Sequence, residues 1–491
     1  MRTIWIWALL LYIVTIAFQG YGFGCSDQIE LLPVIKFWLS DNSLYPHDFY
    51  IQFFAGKSLT ERSPFLLLLY YTTGIDPLFI FLLHALTSIL MFAGILKLSS
   101  VISDSIFPGV LTTLLLISVL SYISLGGNEL FYNYLIPSLP AKTLAVWSLV
   151  FWIEHRPYIP YLLLGIATYF QPLVGLQLFL ILSIVQILVR SNGYSFVKDV
   201  LIYSLIAGPW IISLLIAQSD DHLPLNLYFE IIEFRVAHHF FPGYFHWWDY
   251  LVLAFLLLPA LILYGKEHKR LQYFSAIAIL GCLIYTLGVE LMKWELALNT
   301  QWFKVTIWIE LLGMLAITVW IREYLQLGNK FMTFASLTLL ASLVMVVISG
   351  FKSPTYNAPF ISPDTAEKEV ARWIRDHSDV DDIILYPPNF SCFKMFSERS
   401  GYIDFKAMIH HHDYMKEYYE RIIQAYQINI DDRRELGLQN MLNKGERHLL
   451  DLDHEALGID YLIIPSHYDL GRQSIFSTQA QPELSVYPIS H

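Results

Sequence analysis

The feature that most constrains this chain is a succession of apolar runs, each about as long as a bilayer is thick. A helix needs roughly 20 apolar residues to cross the hydrocarbon core. Such runs recur near 3–20, 76–98, 106–125, 138–154, 158–170, 172–190, 198–217, 248–265, 272–291, 303–322 and 331–350. The chain therefore reads as a polytopic α-helical membrane protein of about eleven spans. Composition agrees. Only 15% of the 491 residues are charged, against about a quarter in soluble domains. Net charge is −11, which argues against nucleic acid as a partner. The lipid bilayer is the first partner implied.

Two stretches test the span count. Gln171-Pro172 is either a tight turn between two spans or a kink in one, because proline removes a helix donor and clashes backwards. Ser63–Gly74 is too short to cross and reads as a re-entrant or interfacial helix. The run from Ile4 to Phe18 has a signal peptide as its rival reading, but no A-x-A-like site follows it, so an uncleaved first span is expected.

Lys and Arg in short loops mark the cytoplasmic side. With the N-terminus inside, the inner segments hold Arg2, Lys97, Arg156, Arg190, Lys198, Lys266, Lys269, Arg270, Arg322 and Lys330. The outward connections after the first hold few bases. This alternation puts the tail outside. From Gly350 onward there are 22 acids and 14 Lys or Arg, a composition unlike that of the spans. The domain reading is a transmembrane region at 1–350, with its first outward loop at 21–75, and a soluble α/β domain at 351–491. In that tail "SPDTAEKEVARWIRDHS" has helical periodicity, with Ser362 as cap and Pro363 in the first turn. "YMKEYYERIIQAYQ" repeats the helical pattern, and "DIILYPP" and "DYLIIPS" read as buried strands. Three cysteines make no disulfide framework and no zinc spacing. Cys25 and Cys392 both fall outside and are either paired or free.

In this topology the dense polar clusters share the outward face. The first loop carries Asp27, Glu30 and Asp48. A carboxylate held where a helix meets water loses solvation, its pKa rises, and it can accept a proton from a hydroxyl. If "SDQIELLPVIKFW" opens a helix, Asp27 and Glu30 lie on neighbouring turns of one face. Against this stands the plainer role of an interfacial anchor for Asp27 and of turn chemistry for Asp48. "EFRVAHHFFP" would place Arg235 beside His238 and His239 at helical spacings of three and four. Guanidinium grips phosphate with two parallel bonds, and imidazoles add donors tunable near neutral pH. Interleaved aromatics suit a phosphate carried on lipid. Lys293 and Lys304 are further cations for the same anion, with Lys142 and Lys304 expected to snorkel. His410–His412 is read as a helix start. No metal set is expected, although a divalent cation is left open, and no cofactor is required.

These features together resemble the GT-C superfamily of integral-membrane glycosyltransferases, which includes protein mannosyltransferases and the aminoarabinose transferases of lipid A. The shared traits are the acid after the first span ("GCSDQ"), an interfacial helix in a long first loop, a polar pair in the second outward loop (Asn128, Glu129), and an outward α/β domain. "FRVAHHFFP" and "WIRDHSDVDDIILYPPNFSCFKMFSERSGYIDFKA" are similar to a group of uncharacterised bacterial membrane proteins. The resemblance implies a polyprenyl-phosphate sugar donor and a lipid, glycan or protein acceptor, with inversion, in the bacterial inner membrane. It implies Asp27 as the base, Glu129 or Asn128 as the second-loop partner, and Arg235, His238, His239 and Lys304 as neutralisers of the leaving phosphate. A flippase or polymerase of lipid-linked glycans and a non-catalytic membrane protein are the rival classes.

Overall fold

The computed structural model describes residues 2–56, 59–118, 125–189, 193–217, 223–264, 268–324, 365–468 and 470–489, with isolated positions 330, 333 and 338. The span expected at 331–350, Arg190, Lys266, and the cap expected at Ser362 with Pro363 lie outside them. The protein is mostly helical with a small C-terminal sheet. Two compact units are present. One comprises residues 1–21, 81–214 and 236–358; the other comprises 22–80, 215–235 and 359–491.

The first unit is a bundle of apolar helices. Five helices of the described chain are long and apolar enough to cross a membrane: Arg2–Gln19, Pro77–Ser103, Phe196–Ala217, Lys269–Leu291 and Glu295–Tyr324. This composition makes the chain a membrane protein. Shorter apolar helices of 10 to 17 residues occupy Phe107–Ser118, Ser138–Ile153, Ile159–Phe170, Pro172–Leu188 and Trp247–Ile262. Burial separates their roles. The most apolar stretch of Glu295–Tyr324 is 78% buried inside the protein, whereas that of Phe196–Ala217 is 17% buried. The former is a core helix and the latter turns its Leu and Ile side chains outward. The "FQP" question has a local answer. Gln171 is extended (φ −144°, ψ 99°) and ends one helix at Phe170, while Pro172 opens the next. Proline is tolerated in the first helical turn because its missing N–H would have no partner there. Thr112 and Thr318 share a buried hydroxyl contact of 2.9 Å between two helices.

The second unit joins the first loop to the tail. Short helices at Leu32–Leu39, Phe49–Gly56 and Ser63–Thr72 come from the loop. The tail forms a five-stranded sheet from β1 (Ile383–Leu385), β2 (Ser400–Gly401), β3 (Tyr461–Pro465), β4 (Phe476–Ser477) and β5 (Leu484–Pro488), in the order β2-β1-β3-β5-β4. β1 runs parallel to β2 and β3, and β5 pairs antiparallel with β3 and β4. The strands expected from "DIILYPP" and "DYLIIPS" are β1 and β3. Val370, Ile374, Ile384, Phe393, Ile463 and Val486 form the core between helix Ala366–His377 and this sheet. That helix begins later than expected. Its cap is Thr365, whose hydroxyl accepts the Lys368 N–H at 3.3 Å. Helix His412–Tyr426 starts within the histidine run, as read from sequence.

Cys25 and Cys392 are joined by a disulfide across 367 residues, tying loop to tail. Disulfides persist in oxidising compartments. Cys282 is a buried free thiol.

Candidate functional site

Asp27 belongs to a tightly determined segment of the second unit. Gly24 has φ +74°, and a Cβ there would come within 2.9 Å of Met395; a side chain would be both strained and crowded. The disulfide follows at Cys25, and the Ser26 N–H donates to the Ser391 carbonyl at 3.0 Å. Residues Ser26–Glu30 then form a 3₁₀ turn, not the start of the α-helix expected, which begins only at Leu32. In a 3₁₀ turn residues i and i+3 eclipse, so Asp27 and Glu30 still share a face.

Each carboxylate has its own cation. Asp27 Oδ1 lies 3.1 Å from Lys406 Nζ, which also donates to Ser26 Oγ at 2.9 Å. The Asp27 side chain keeps 47% of its surface exposed. Glu30 is withdrawn behind it. Its Oε2 meets Arg62 Nη2 at 2.6 Å, and Arg62 Nη1 donates to the Tyr50 hydroxyl, which in turn donates to the Glu30 carbonyl. Burial raises the Glu30 carboxyl above its ordinary value and neighbouring Asp27 raises it further, against the pull of Arg62, Arg235 and Lys406. With one carboxylate at the surface and one held back beside an arginine, the outer member is the more open to a water-borne hydroxyl.

Arg235 is placed differently from the sequence reading. Helix Leu225–Phe240 is broken at Val236 (φ −134°, ψ 33°), so the register that would stack Arg235 on His238 and His239 ends there. Arg235 instead donates from Nε to the Phe405 carbonyl and from Nη2 to the Lys406 carbonyl, both at 2.6 Å, with its guanidinium 5.0 Å from the Phe405 ring. It holds the strand of chain that carries Lys406. Asp48, expected in a binding role, is 1% exposed. Its oxygens take Lys394 Nζ at 3.0 Å and the N–H groups of Ile51 and Gly401. It is a buried tie between loop and tail.

The remaining candidates lie in the first unit. The second-loop turn Gly126–Gly127 packs on the two histidines: His239 Nδ1 is 2.9 Å from the Gly126 carbonyl, and a Cβ on Gly127 (φ +58°) would meet that ring at 2.4 Å. The His238 and His239 rings are 4.0 Å apart. Asn128 donates to the Lys304 carbonyl at 2.9 Å and accepts from Lys142 Nζ at 2.6 Å. Lys142 also donates to the Glu129 carbonyl and to the Tyr132 hydroxyl. Lys142 does not snorkel as expected; it is 0% exposed and organises the second loop. Lys304 is half-buried in the 3₁₀ turn Trp302–Val305, and Lys293 is exposed in a turn with φ 46°. No group of three metal-ligating side chains occurs among the described residues.

Sequence reading missed Lys406 and Arg62. Lys406 sits in "IDFKAMIH", more than 370 residues from Asp27, with no spacing to betray the pairing. Arg62 had a faint signal, as a base within an acid-rich outward loop.

Residues 365–425 match the model of a domain of unknown function, DUF6798; Cys392, Lys394 and Lys406 fall inside that stretch. No curated protein matches the chain. Among solved structures, the chain is similar to the mycobacterial arabinofuranosyltransferase AftD, at a TM-score of 0.43 and 14% identity over 95% of this chain. It spans 37% of the length of that protein.

Proposed function

We propose that the protein is a GT-C-type membrane glycosyltransferase of about eleven spans. Its N-terminus is cytoplasmic and its tail domain, residues 351–491, lies outside the bacterial inner membrane. It moves a sugar from a polyprenyl phosphate to a lipid, glycan or protein acceptor. Asp27 is the base: it takes the proton of the acceptor hydroxyl as that oxygen attacks the anomeric carbon. The bond from that carbon to the phosphate oxygen breaks on the opposite side, which inverts the centre. Charge grows on the departing phosphate, and a fixed cation beside it lowers the barrier. Lys406 is that cation, leaving its contact with Asp27 for the phosphate.

The single observation that carries this reading is the half-exposed Asp27 carboxylate 3.1 Å from Lys406. The disulfide two residues away supports the outward placement, since it needs an oxidising compartment. The test is a glycolipid and glycoprotein profile of cells lacking the gene, complemented with wild type or Asp27→Asn. The expected outcome is a lost glycan species that wild type restores and Asp27→Asn does not. An unchanged profile on deletion, or full rescue by Asp27→Asn, removes the proposal.

A further inference from the structure

The second unit holds a cavity of about 820 Å³ that neither Asp27 nor Lys406 lines. One wall is the polar face of helix His412–Tyr426, whose opposite face buries Tyr414, Tyr418 and Tyr426. The other walls come from His47 in the first loop, Ile383 on β1, Tyr402 beyond β2, and Leu457. A polar helix face normally looks into open water. Here it also borders an open hollow whose other walls come from four separate segments of the same unit.

Part of that wall is already set. Arg421 donates to Glu417 at 2.8 and 3.0 Å, and its guanidinium lies 4.5 Å from the Phe49 ring and 5.5 Å from the Tyr402 ring. Tyr402 donates its hydroxyl to Gln424 Oε1 at 3.0 Å. Fixed groups lose little freedom when a ligand arrives.

The lining selects the ligand by chemistry. Only two of its ten residues are aliphatic, so an apolar tail finds no surface. Three carboxylates, from Asp413, Glu417 and Glu420, outnumber the cations of Lys416 and Arg421 and repel an anion. No three-ligand metal set exists among the described residues. Carboxylates, cations, the Tyr402 hydroxyl and the Gln424 amide are interleaved on these walls, which suits a molecule rich in both donors and acceptors, and the volume lies in the upper part of the range for small-molecule sites. We propose that this cavity binds a neutral oligosaccharide. Its assignment as the acceptor glycan rests on the glycosyltransferase reading; the binding itself does not.

The test uses the full chain in detergent and titration calorimetry with maltohexaose, mannohexaose and chitohexaose. The expected result is that at least one binds with a dissociation constant below about 1 mM, corresponding to about −4 kcal/mol. Glu420→Gln and Gln424→Ala, both at exposed positions of a helix, each weaken it tenfold or more while the unfolding midpoint stays fixed. Failure of all three sugars to bind, or binding that survives both cavity variants, overturns the site. Sugar binding without any transfer phenotype for Asp27→Asn would remove the catalytic reading and keep the cavity.

Discussion

Lys394 Nζ lies 3.0 Å from Asp48 Oδ2, and the two side chains are 2% and 1% exposed. One comes from the first loop and the other from the tail, and both are buried only because the segments fold together. Removing one partner of such a pair strands a charge and costs about 3–5 kcal/mol, whereas replacing both with apolar groups of similar size is close to neutral. Asp48→Leu and Lys394→Met should each lower the denaturation midpoint strongly, and the double variant should recover the part due to the stranded charge but not the part due to the Ile51 and Gly401 N–H groups left without an acceptor. A tail fragment covering 365–489 without the first loop should fail to fold, as judged by circular dichroism. A fragment that folds with native stability would show that the loop contributes nothing.

The disulfide gives a chemical test of sidedness. Protein isolated without reductant, denatured and alkylated should show one modified thiol, at Cys282, and three after reduction. Mass spectrometry reads the count directly. Three reactive thiols before reduction would place the loop and tail in a reducing compartment and contradict the outward topology.

Glu367 predicts a pH effect on stability. Its Oε1 accepts the N–H groups of Ser391, Cys392 and Phe393, bracing the disulfide-bearing turn. Burial nonetheless pushes its carboxyl from 4.5 up to about 7, with the three N–H donors pulling the other way. The folded state thus binds this proton more tightly than the unfolded chain. The stabilisation is fully present below about pH 4.5 and is lost as pH rises through 7. Glu367→Gln keeps a carbonyl acceptor but cannot titrate. Thermal melts from pH 4 to 8 should show the wild type losing stability relative to Glu367→Gln, by an amount that grows toward neutrality. Parallel curves would contradict the shift.

Arg235 should behave as a brace for the loop that carries Lys406. Charge-assisted hydrogen bonds of its kind contribute about 1.5–3 kcal/mol each. Arg235→Ala should lower stability on that order and reduce any transfer activity through displacement of Lys406. Lys406→Met should spare the melt and abolish transfer. The comparison is a melting curve beside the glycan profile for both variants. Equal loss of stability in the two would remove the distinction drawn between brace and cation.

The helices of the first unit were legible because burial in a bilayer demands long apolar runs, and those runs are local. The two principal strands of the tail and its helices were legible for the same local reason. Asp27 and Glu30 could be singled out because their distance from the first span is fixed along the chain. The helical register from Arg235 to His239 was misread because nothing in "EFRVAHHFFP" announces a break at Val236. Asp48 looked like a surface turn residue because its partner Lys394 lies 346 positions away.

The sequence alone determined that this chain carries long apolar helices suited to a membrane and that an acid follows the first of them, since hydropathy and periodicity are properties of neighbours. Only the tertiary structure decided what each charge meets: that Asp27 faces Lys406, that Glu30 is held by Arg62, and that Cys25 bonds Cys392. Those pairings join segments hundreds of residues apart. They are specified by the packing of the whole unit, in which a buried charge or thiol is tolerated only where a partner is brought to it.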